Sequence, residues 1–384
     1  MSATFMHALV GLAGAAIHAS PDAVEHARDL GQAIRSAVET VAPFVVTLET
    51  VGGAQPVREG GRGRMEERFR LADGPTTGII LSSDGLILTS SFNFAREPTV
   101  ITVTLSDGRR FVAKLLARDF IRRLALVKID ATDLPAAQWA ARTDVRVGQY
   151  AIACGRALGG EVPSVSLGIV SAVARRNGLA MQTDAKTSPV NYGGPLIDIE
   201  GRVLGLIVPM AGAGGQIEGV GWYDSGIGFA IYKDKVDAVL ARLTAGEVIE
   251  PGKIGVLLGP DEEDAIPFLE ELFPQARGVR IEAVADPSPA AQADLQPGDI
   301  IIALEGQHVG DLLSLQRKLS DRAAGEEVTI TLKRRWQRID IRVRLARPSE
   351  IGNFPEPPQP EPTTTQPSAD EESDPQPTSR PSTD

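Results

Sequence analysis

Two different hydrophobic periods divide the chain. Residues 22–40 carry apolar side chains at helical spacing, with Asp22 near the start, and predict an amphipathic helix. From about residue 42 the period changes to short apolar runs separated by Gly, Asp and Pro, which is typical of β-strands. The twelve runs lie at 45–50, 77–81, 86–90, 100–105, 110–116, 124–129, 150–154, 165–174, 179–183, 195–199, 202–208 and 226–232. Six lie on each side of a connection at 131–144, which predicts two similar all-β units.

A mixed pattern follows the twelve runs. A helix is predicted at 233–245 and a short polar connection after it, before strands and helices begin to alternate. The later strands are predicted at 279–284, 299–304, 328–332 and 339–345, and a helix at 311–323. Lys333-Arg334-Arg335-Trp336 predicts a polar hairpin turn between the last two strands. This part of the chain is therefore expected to form a separate α+β domain.

The two ends of the chain differ in composition from its body. Residues 350–384 hold eight carboxylates, one arginine and nine prolines, so they carry −7 of the net charge of −11 in 384 residues. Such a segment buries too little apolar surface to offset its ordering entropy, and we expect it to be disordered. Residues 5–17 are apolar and are followed by small residues, which resembles a signal peptide without the basic start. An exported, periplasmic location is the expectation that follows.

Few side chains are available for metal or imidazole chemistry. Cys154 is the single cysteine, which excludes an intramolecular disulfide and a multi-cysteine metal site. It follows an apolar run, so we expect a buried, inert thiol. The four histidines leave none between His26 and His308, and a mechanism based on imidazole is excluded from the middle of the chain. We expect no metal and no cofactor, and the weak charge of the body gives no argument for nucleic acid.

The mixed domain carries a motif of peptide recognition. Residues 286–300 (DPSPAAQADLQPGDI) predict a helical turn that leads into a strand, and Lys253 begins the run KIGVL. A glycine between apolar residues lets backbone N–H groups point at a peptide carboxylate. Together these stretches resemble a PDZ domain, which implies that a peptide adds as a strand beside 256–259, facing the helix at 311–323. The resemblance implies as peptide-binding residues Ile254, Gly255, Val256, Leu257, Leu315, Gln316 and Leu319. Core packing is the alternative for the leucines of the helix, and a blocked groove stays open.

The β region contains six short motifs that together carry one resemblance. These motifs are SDGLILT at 83–89, LSDGR at 105–109, LALVKI at 124–129, GIVSA at 168–172, QTDA at 182–185 and NYGGPL at 191–196. They resemble the trypsin-like protease domain of HtrA/Deg proteins over residues 42–245. The resemblance implies a mostly β fold, in which a trypsin-like double six-stranded β-barrel precedes the PDZ domain. It also implies a trimer-based homo-oligomer, or a hetero-oligomer with an active relative.

The resulting division of the chain has six parts. They are a possible signal peptide (1–20), an N-terminal helix (21–41), the protease-fold domain (42–245), a linker (246–253), the PDZ domain (254–348) and a disordered acidic tail (349–384). A loop at 58–70, rich in Arg and Glu, is expected to be a solvated insertion or a partner-binding loop.

The positions that match the family's catalytic triad hold other residues. Phe92 stands at the histidine position, Arg123 at the aspartate position and Tyr192 at the serine position. Phenylalanine has no lone pair to act as a base, and a permanently cationic arginine would oppose an imidazolium. Val190 replaces a glycine that helps to place the oxyanion-binding N–H groups. We therefore expect no catalytic residues of this type, and a protein that is not an enzyme but a pseudoprotease.

Three functions follow from this sequence. The first is an inactive HtrA-like protein that binds peptides or unfolded segments as a chaperone, scaffold or regulatory subunit of protein quality control. The second is an active serine-type endopeptidase with a non-standard nucleophile, for which a dyad of Ser188 and Lys186 is conceivable. The third is a scaffold whose grooves are both occluded.

Overall fold

A computed structural model describes most of the body of the chain. It covers residues 20–52, 55–56, 70–71, 75–94, 96–157, 160, 162–210, 226–259, 278–335 and 337–355. The predicted signal peptide lies outside the described residues except for residue 20, and so does the loop at 58–70 except for residue 70. The predicted tail lies outside them beyond residue 355.

A long helix, α1 (Pro21–Val41), precedes the barrels. The Ser20 hydroxyl accepts the N–H of Ala23 at 3.2 Å, and proline occupies the first turn, where its missing N–H is not needed. Side chains of the last turns, including Val38 and Val41, are buried in the core of the first barrel. The helix is therefore anchored at its C-terminal end.

Two closed six-stranded barrels form the body of the protein, as the sequence predicts. The strands of the first barrel are β1 (Val45–Val51), β4 (Thr76–Ile80), β5 (Leu86–Ser90), β6 (Val100–Thr104), β7 (Arg110–Asp119) and β8 (Leu124–Ile129). A two-residue pair, β2 (Gln55–Pro56) and β3 (Arg70–Leu71), lies between β1 and β4 in the sequence. The strands of the second barrel are β9 (Tyr150–Gly155), β10 (Ser164–Arg175), β11 (Ala180–Thr183), β12 (Pro195–Ile197), β13 (Val203–Ile207) and β14 (Gly228–Ile231). Closure leaves neither barrel with an unpaired edge strand.

A smaller sheet follows helix α2 (Lys233–Thr244). Its strands are β15 (Val256–Leu258), β16 (Val279–Val284), β17 (Ile300–Leu304), β18 (Gln307–His308), β19 (Glu327–Arg334) and β20 (Gln337–Arg344). The strand order is β15-β16-β17-β19-β20, with β18 paired to β17, so β15 and β20 are the outer strands. The helices of this domain are α3 (Pro289–Gln292) and α4 (Leu312–Ser320). The domain has the PDZ-like α+β architecture that the sequence predicts.

Hydrogen bonds connect the first barrel to the segment that follows α2, and the second barrel to the smaller domain. The N–H of Phe120 donates to the Ile249 carbonyl at 2.9 Å, and Ile249 donates to the Arg118 carbonyl at 2.9 Å. The Asn177 amide donates to the Arg317 carbonyl, at the end of α4, at 3.0 Å. Within the described part of the chain, no helix is both long and apolar enough to cross a membrane.

Candidate functional site

The loop before β12 carries the position predicted for the nucleophile, and β4 of the other barrel holds it in place. The Thr76 hydroxyl donates to the Tyr192 carbonyl at 2.8 Å, and the Thr77 hydroxyl donates to the Val190 carbonyl at 2.7 Å. Gly193 has φ +83°, and a Cβ there would lie 2.2 Å from the Thr77 carbonyl oxygen, so only glycine fits. The two threonines are contacts that the sequence reasoning missed, because nothing local in the sequence pairs them with a loop more than 100 residues away.

The backbone N–H groups of this loop are directed inward. The N–H groups of Asn191 and Tyr192 both donate to the Ser188 carbonyl at 3.0 Å. The Asn191 side chain closes the same turn, because its oxygen accepts the Ser188 N–H at 2.8 Å and its nitrogen donates to the Lys186 carbonyl at 3.0 Å. An oxyanion hole requires N–H groups that point into the open cleft. In this conformation the Tyr192 N–H is used within the loop instead.

The side chains predicted at the histidine and serine positions are in contact. Phe92 lies on a single turn of 3₁₀ helix, Ser91–Phe94, directly after β5. Its ring centroid is 5.3 Å from that of Tyr192, at an interplanar angle of 67°, which is a favourable edge-to-face geometry. Tyr192 is only 4% exposed and belongs to the core of the second barrel, while Phe92 is half-buried against it. Aromatic surface therefore occupies this part of the cleft.

Arg123, predicted at the aspartate position, directly precedes strand β8 and has φ +60°. Its carbonyl accepts the N–H of Ser91, so the backbone holds it beside the turn that carries the phenylalanine. The fully buried Asp119 carboxylate stabilises the turn between β7 and β8, which precedes Arg123, because it accepts the N–H of Ile121 at 2.8 Å. Burial lowers the pKa of the Arg123 guanidinium, the nearby charge of Arg176 lowers it further, and Asp119 opposes the shift. The residue that the sequence predicts at the aspartate position is thus a cation and has no carboxylate to offer.

The other nucleophile candidates have different environments. Cys154 is fully buried, and burial raises the pKa of its thiol to about 12, so the thiolate is not populated at neutral pH. Ser188 is half-buried on the cleft loop, and Lys186 is exposed on the same loop. The inert thiol expected from the sequence agrees with this burial.

The predicted carboxylate-binding loop lies beside the outer strand β15. Gly255 has φ +85°, and a Cβ there would lie 2.4 Å from the Cβ of Ser288, so the position requires glycine. The Ile254 and Gly255 carbonyls accept the N–H groups of Ala290 and Ala285 at 2.9 Å. No backbone carbonyl in the described part of the chain accepts the N–H of Ile254 or Gly255. This end of β15 thus presents donors next to a strand edge that pairs with no other strand in the part of the chain that the structure describes.

The apolar side chains near this strand differ in accessibility. Leu315 is fully buried in the domain core and offers no groove surface, and Ile254 is also buried. Gln316 and Leu257 are exposed. The side chains that pack on the core and stay partly exposed are Val256 and Leu258 of β15 and Leu312 and Leu319 of α4. These four side chains are better candidates for an accessible apolar groove than the buried Ile254 and Leu315. The sequence analysis gives only Val256 and Leu319 of the four as peptide-binding residues.

The fold and the site define a two-barrel peptidase-type protein with a PDZ domain. The family model of the trypsin-like peptidase domain matches residues 76–206, and that of the PDZ domain matches residues 252–345. The chain therefore has the two domains of an HtrA-type protein, as the resemblance in its sequence predicts.

Curated relatives and solved structures agree with this resemblance. The probable periplasmic serine endoprotease DegP-like of Chlamydia trachomatis is 33% identical over 72% of this chain and 55% of its own length. The periplasmic serine endoprotease DegP of Escherichia coli is 29% identical over 76% of this chain and 60% of its own length. The chain therefore spans little more than half the length of these relatives.

Two solved structures show the same arrangement. The serine endoprotease from Yersinia pestis has a TM-score of 0.57 and 26% identity, covering 82% of this chain and 97% of that chain. The HtrA-type protease AlgW with decapeptide has a TM-score of 0.58 and 26% identity, covering 85% of this chain and 99% of that chain. The expectation that the chain is not an enzyme is contradicted by these comparisons, because the relatives and structural neighbours are named endoproteases or proteases and point to a protease.

Proposed function

We propose that this chain is an HtrA-type protein of an exported compartment that captures the C-terminal ends of unfolded polypeptides in protein quality control. The observation that carries the proposal is the edge of β15 beside Gly255, which pairs with no strand among the described residues and where backbone N–H groups lie next to half-buried apolar side chains. An extended peptide that pairs with this edge would gain main-chain hydrogen bonds, and its terminal carboxylate would receive the loop N–H groups. The PDZ match, the peptide in the AlgW structure and the periplasmic relatives support the proposal.

Titration of labelled peptides tests the capture of C-termini. A peptide that ends in apolar residues with a free carboxylate is expected to bind saturably to the full chain, followed by fluorescence anisotropy. The same peptide with a C-terminal amide is the control, and its affinity should fall at least about tenfold because one charge-assisted contact is lost. Equal affinity of the two peptides would contradict recognition of the carboxylate.

Endoproteolysis is the second candidate function, favoured by the names of the relatives. We propose that positions 92 and 123 supply neither base nor carboxylate to it, because phenylalanine has no lone pair and arginine is cationic. A hydroxyl of the cleft loop, that of Ser188 or Tyr192, is then the available nucleophile. This hydroxyl would have to lose its proton without the histidine and aspartate that activate the family's serine.

Cleavage of an unfolded protein substrate by purified chain tests this second function. Fragments that vanish in Ser188→Ala but persist in Tyr192→Phe would assign the serine, and the reverse pattern would assign the phenol. Cys154→Ser is the matched control, because the buried thiol is expected to take no part. Fragments that survive all three substitutions would contradict a hydroxyl of this loop, and a complete lack of fragments from the unaltered chain would contradict the second function itself.

The assembly is part of the same proposal. We infer a trimer-based oligomer, which the resemblance to the HtrA family suggests. Light scattering of the full chain is expected to give three times the mass of one chain or a multiple of it, and a monomer mass would contradict this inference.

A further inference from the structure

Opposite charges are segregated into neighbouring segments at the C-terminal end of the chain. Residues 333–347 hold seven cations and one carboxylate, a net charge of +6. Residues 350–384 follow at once and hold a net charge of −7. Charge blocks of this size repel within themselves and attract each other across the short connection.

The strand registers arrange basic residues as a row across the PDZ sheet. Arg280 of β16 pairs with Ile300 of β17, Ile300 pairs with Lys333 of β19, and Lys333 pairs with Arg338 of β20. Three steps between strands make this row about 14 Å long. The row lies on the face opposite the core, because the alternate positions of β19, such as Leu332, are fully buried.

Strand β20 extends the row along the outer edge of the sheet. Arg342 and Arg344 are exposed at alternate positions after Arg338, and the three side chains span about 20 Å of strand. We call Arg280, Lys333, Arg338, Arg342 and Arg344 the basic face.

The basic face also contains acidic side chains. Asp340 accepts the Thr331 hydroxyl at 2.7 Å, and Glu327 lies 3.8 Å from Arg342. Glu282 of β16 is exposed beside the row. On this face, strands β16, β19 and β20 themselves hold five cations against three carboxylates, and Glu247 and Glu350 line a cavity with Arg344.

The chain leaves the PDZ domain within reach of this face. The Asn353 carbonyl accepts the N–H of Asp286, and the Gly352 N–H donates to the Pro287 carbonyl at 2.8 Å. Asp286 is six residues along the chain from Arg280, which places the exit within about 20 Å of the row. The densest acidic group of the tail is Asp370, Glu371, Glu372 and Asp374. Sixteen residues separate Asn353 from Asp370, and the seventeen steps between the two reach at most about 60 Å, so the covalent connection spans the distance with length to spare.

We propose that the acidic quartet, Asp370, Glu371, Glu372 and Asp374, docks on the basic face of the PDZ domain of the same chain. Two arguments favour the quartet as the occupant of the basic face. Its charge is opposite to that of the face, and the short covalent connection gives the tail an effective concentration of about millimolar near the face. The docked segment lies on the face of the sheet opposite the core, and it leaves the edge of β15 accessible to a peptide. The tail thereby neutralises a surface that would otherwise attract other polyanions.

Carbodiimide coupling of the full chain tests this docking, because it joins a lysine amine to a carboxylate only when the two are in contact. Lys333 is expected to couple to the quartet at least about fivefold more than Lys318 of the same domain, measured by peptide mass spectrometry. Raising the salt to 0.5 M should reduce this yield at least threefold, because the Debye length falls to about 4 Å.

Two variants separate docking from general charge. R338Q/R342Q/R344Q leaves Lys333 in place and is expected to lower its coupling to the quartet at least threefold. The matched control R28Q/R35Q/K114Q removes three exposed cations elsewhere and should leave the yield unchanged. Far-UV circular dichroism confirms that both variants fold.

Three results would overturn the proposal. The first is an equal loss of coupling in the two variants. The second is coupling of Lys333 to the acidic residues at 261–264 in place of the quartet. The third is coupling between isotopically heavy and light chains in a mixed sample, which would assign the tail of a second copy as the occupant.

Discussion

The contact between Phe92 and Tyr192 leads to a quantitative prediction about the stability of the cleft. Tyr192→Ala removes a ring that is 4% exposed, and such a deletion costs about 3–5 kcal/mol of unfolding free energy. Phe92 is half-buried, so Phe92→Ala is expected to cost roughly half as much, about 2 kcal/mol. The edge-to-face pair at 5.3 Å adds a coupling of about 0.5–1.5 kcal/mol, so the double variant should lose less than the sum of the single variants by that amount.

A double-mutant cycle in urea measures this coupling. Unfolding free energies of the four proteins follow from the midpoints and slopes of the transitions. Phe92→Ala combined with Val343→Ala, in the core of the PDZ domain, is the control pair and should be additive within about 0.5 kcal/mol. A Phe92–Tyr192 coupling no larger than that of the control would refute the packed aromatic cleft.

Three further predictions concern other parts of the chain. Gly255→Ala should cost about 2–4 kcal/mol and weaken binding of C-terminal peptides, because φ is +85° and the new Cβ meets Ser288. Gly298→Ala, with φ +91° and open space around it, should cost only about 1–2 kcal/mol in the same urea titration. The folded-state pKa of Cys154, about 12, exceeds the ordinary value of 9.0, so the folded chain keeps a proton that the unfolded chain releases. Stability should therefore fall as the pH rises from about 9 to 12, and Cys154→Ala should flatten that part of the profile, whereas an unchanged slope would contradict the burial. Arg334→Met leaves the buried Asp299 carboxylate without its two contacts at 2.8 and 2.9 Å and should cost about 3 kcal/mol or more by thermal unfolding, while Arg335→Met at the exposed turn should stay within about 0.5 kcal/mol.

The sequence predicted the double barrel because each strand carries its own signal. Alternating or continuous apolar runs, bounded by Gly and Asp, are local features, and all twelve correspond to barrel strands within a few residues. Local sequence patterns likewise explain why the order of strands and helices in the PDZ domain could be predicted. The small pair β2 and β3 was missed, since two residues are too short for any period to register.

The sequence predicts candidate positions in the site but not the contacts that those residues make. The assignment of residues 92, 123 and 192 to the triad positions stays a prediction, and the structure shows that Phe92 and Tyr192 are in ring contact. The motif did not predict that the Tyr192 N–H donates to Ser188, because the direction of a peptide group in a loop depends on its surroundings. Leu315 has helical spacing that suits a groove or a core equally, and only its burial distinguishes them.

The sequence by itself determined the elements, the family and the charge of each segment, because these depend on residue type and local spacing. The tertiary structure decided which distant residues meet. The hydrogen bonds from Thr76 and Thr77 to the loop at 190–192 join parts of the chain that are more than 100 residues apart. The row from Arg280 to Arg338 requires four strands in one register. Register is set by packing and hydrogen bonding of whole strands, and no local pattern of residues encodes it.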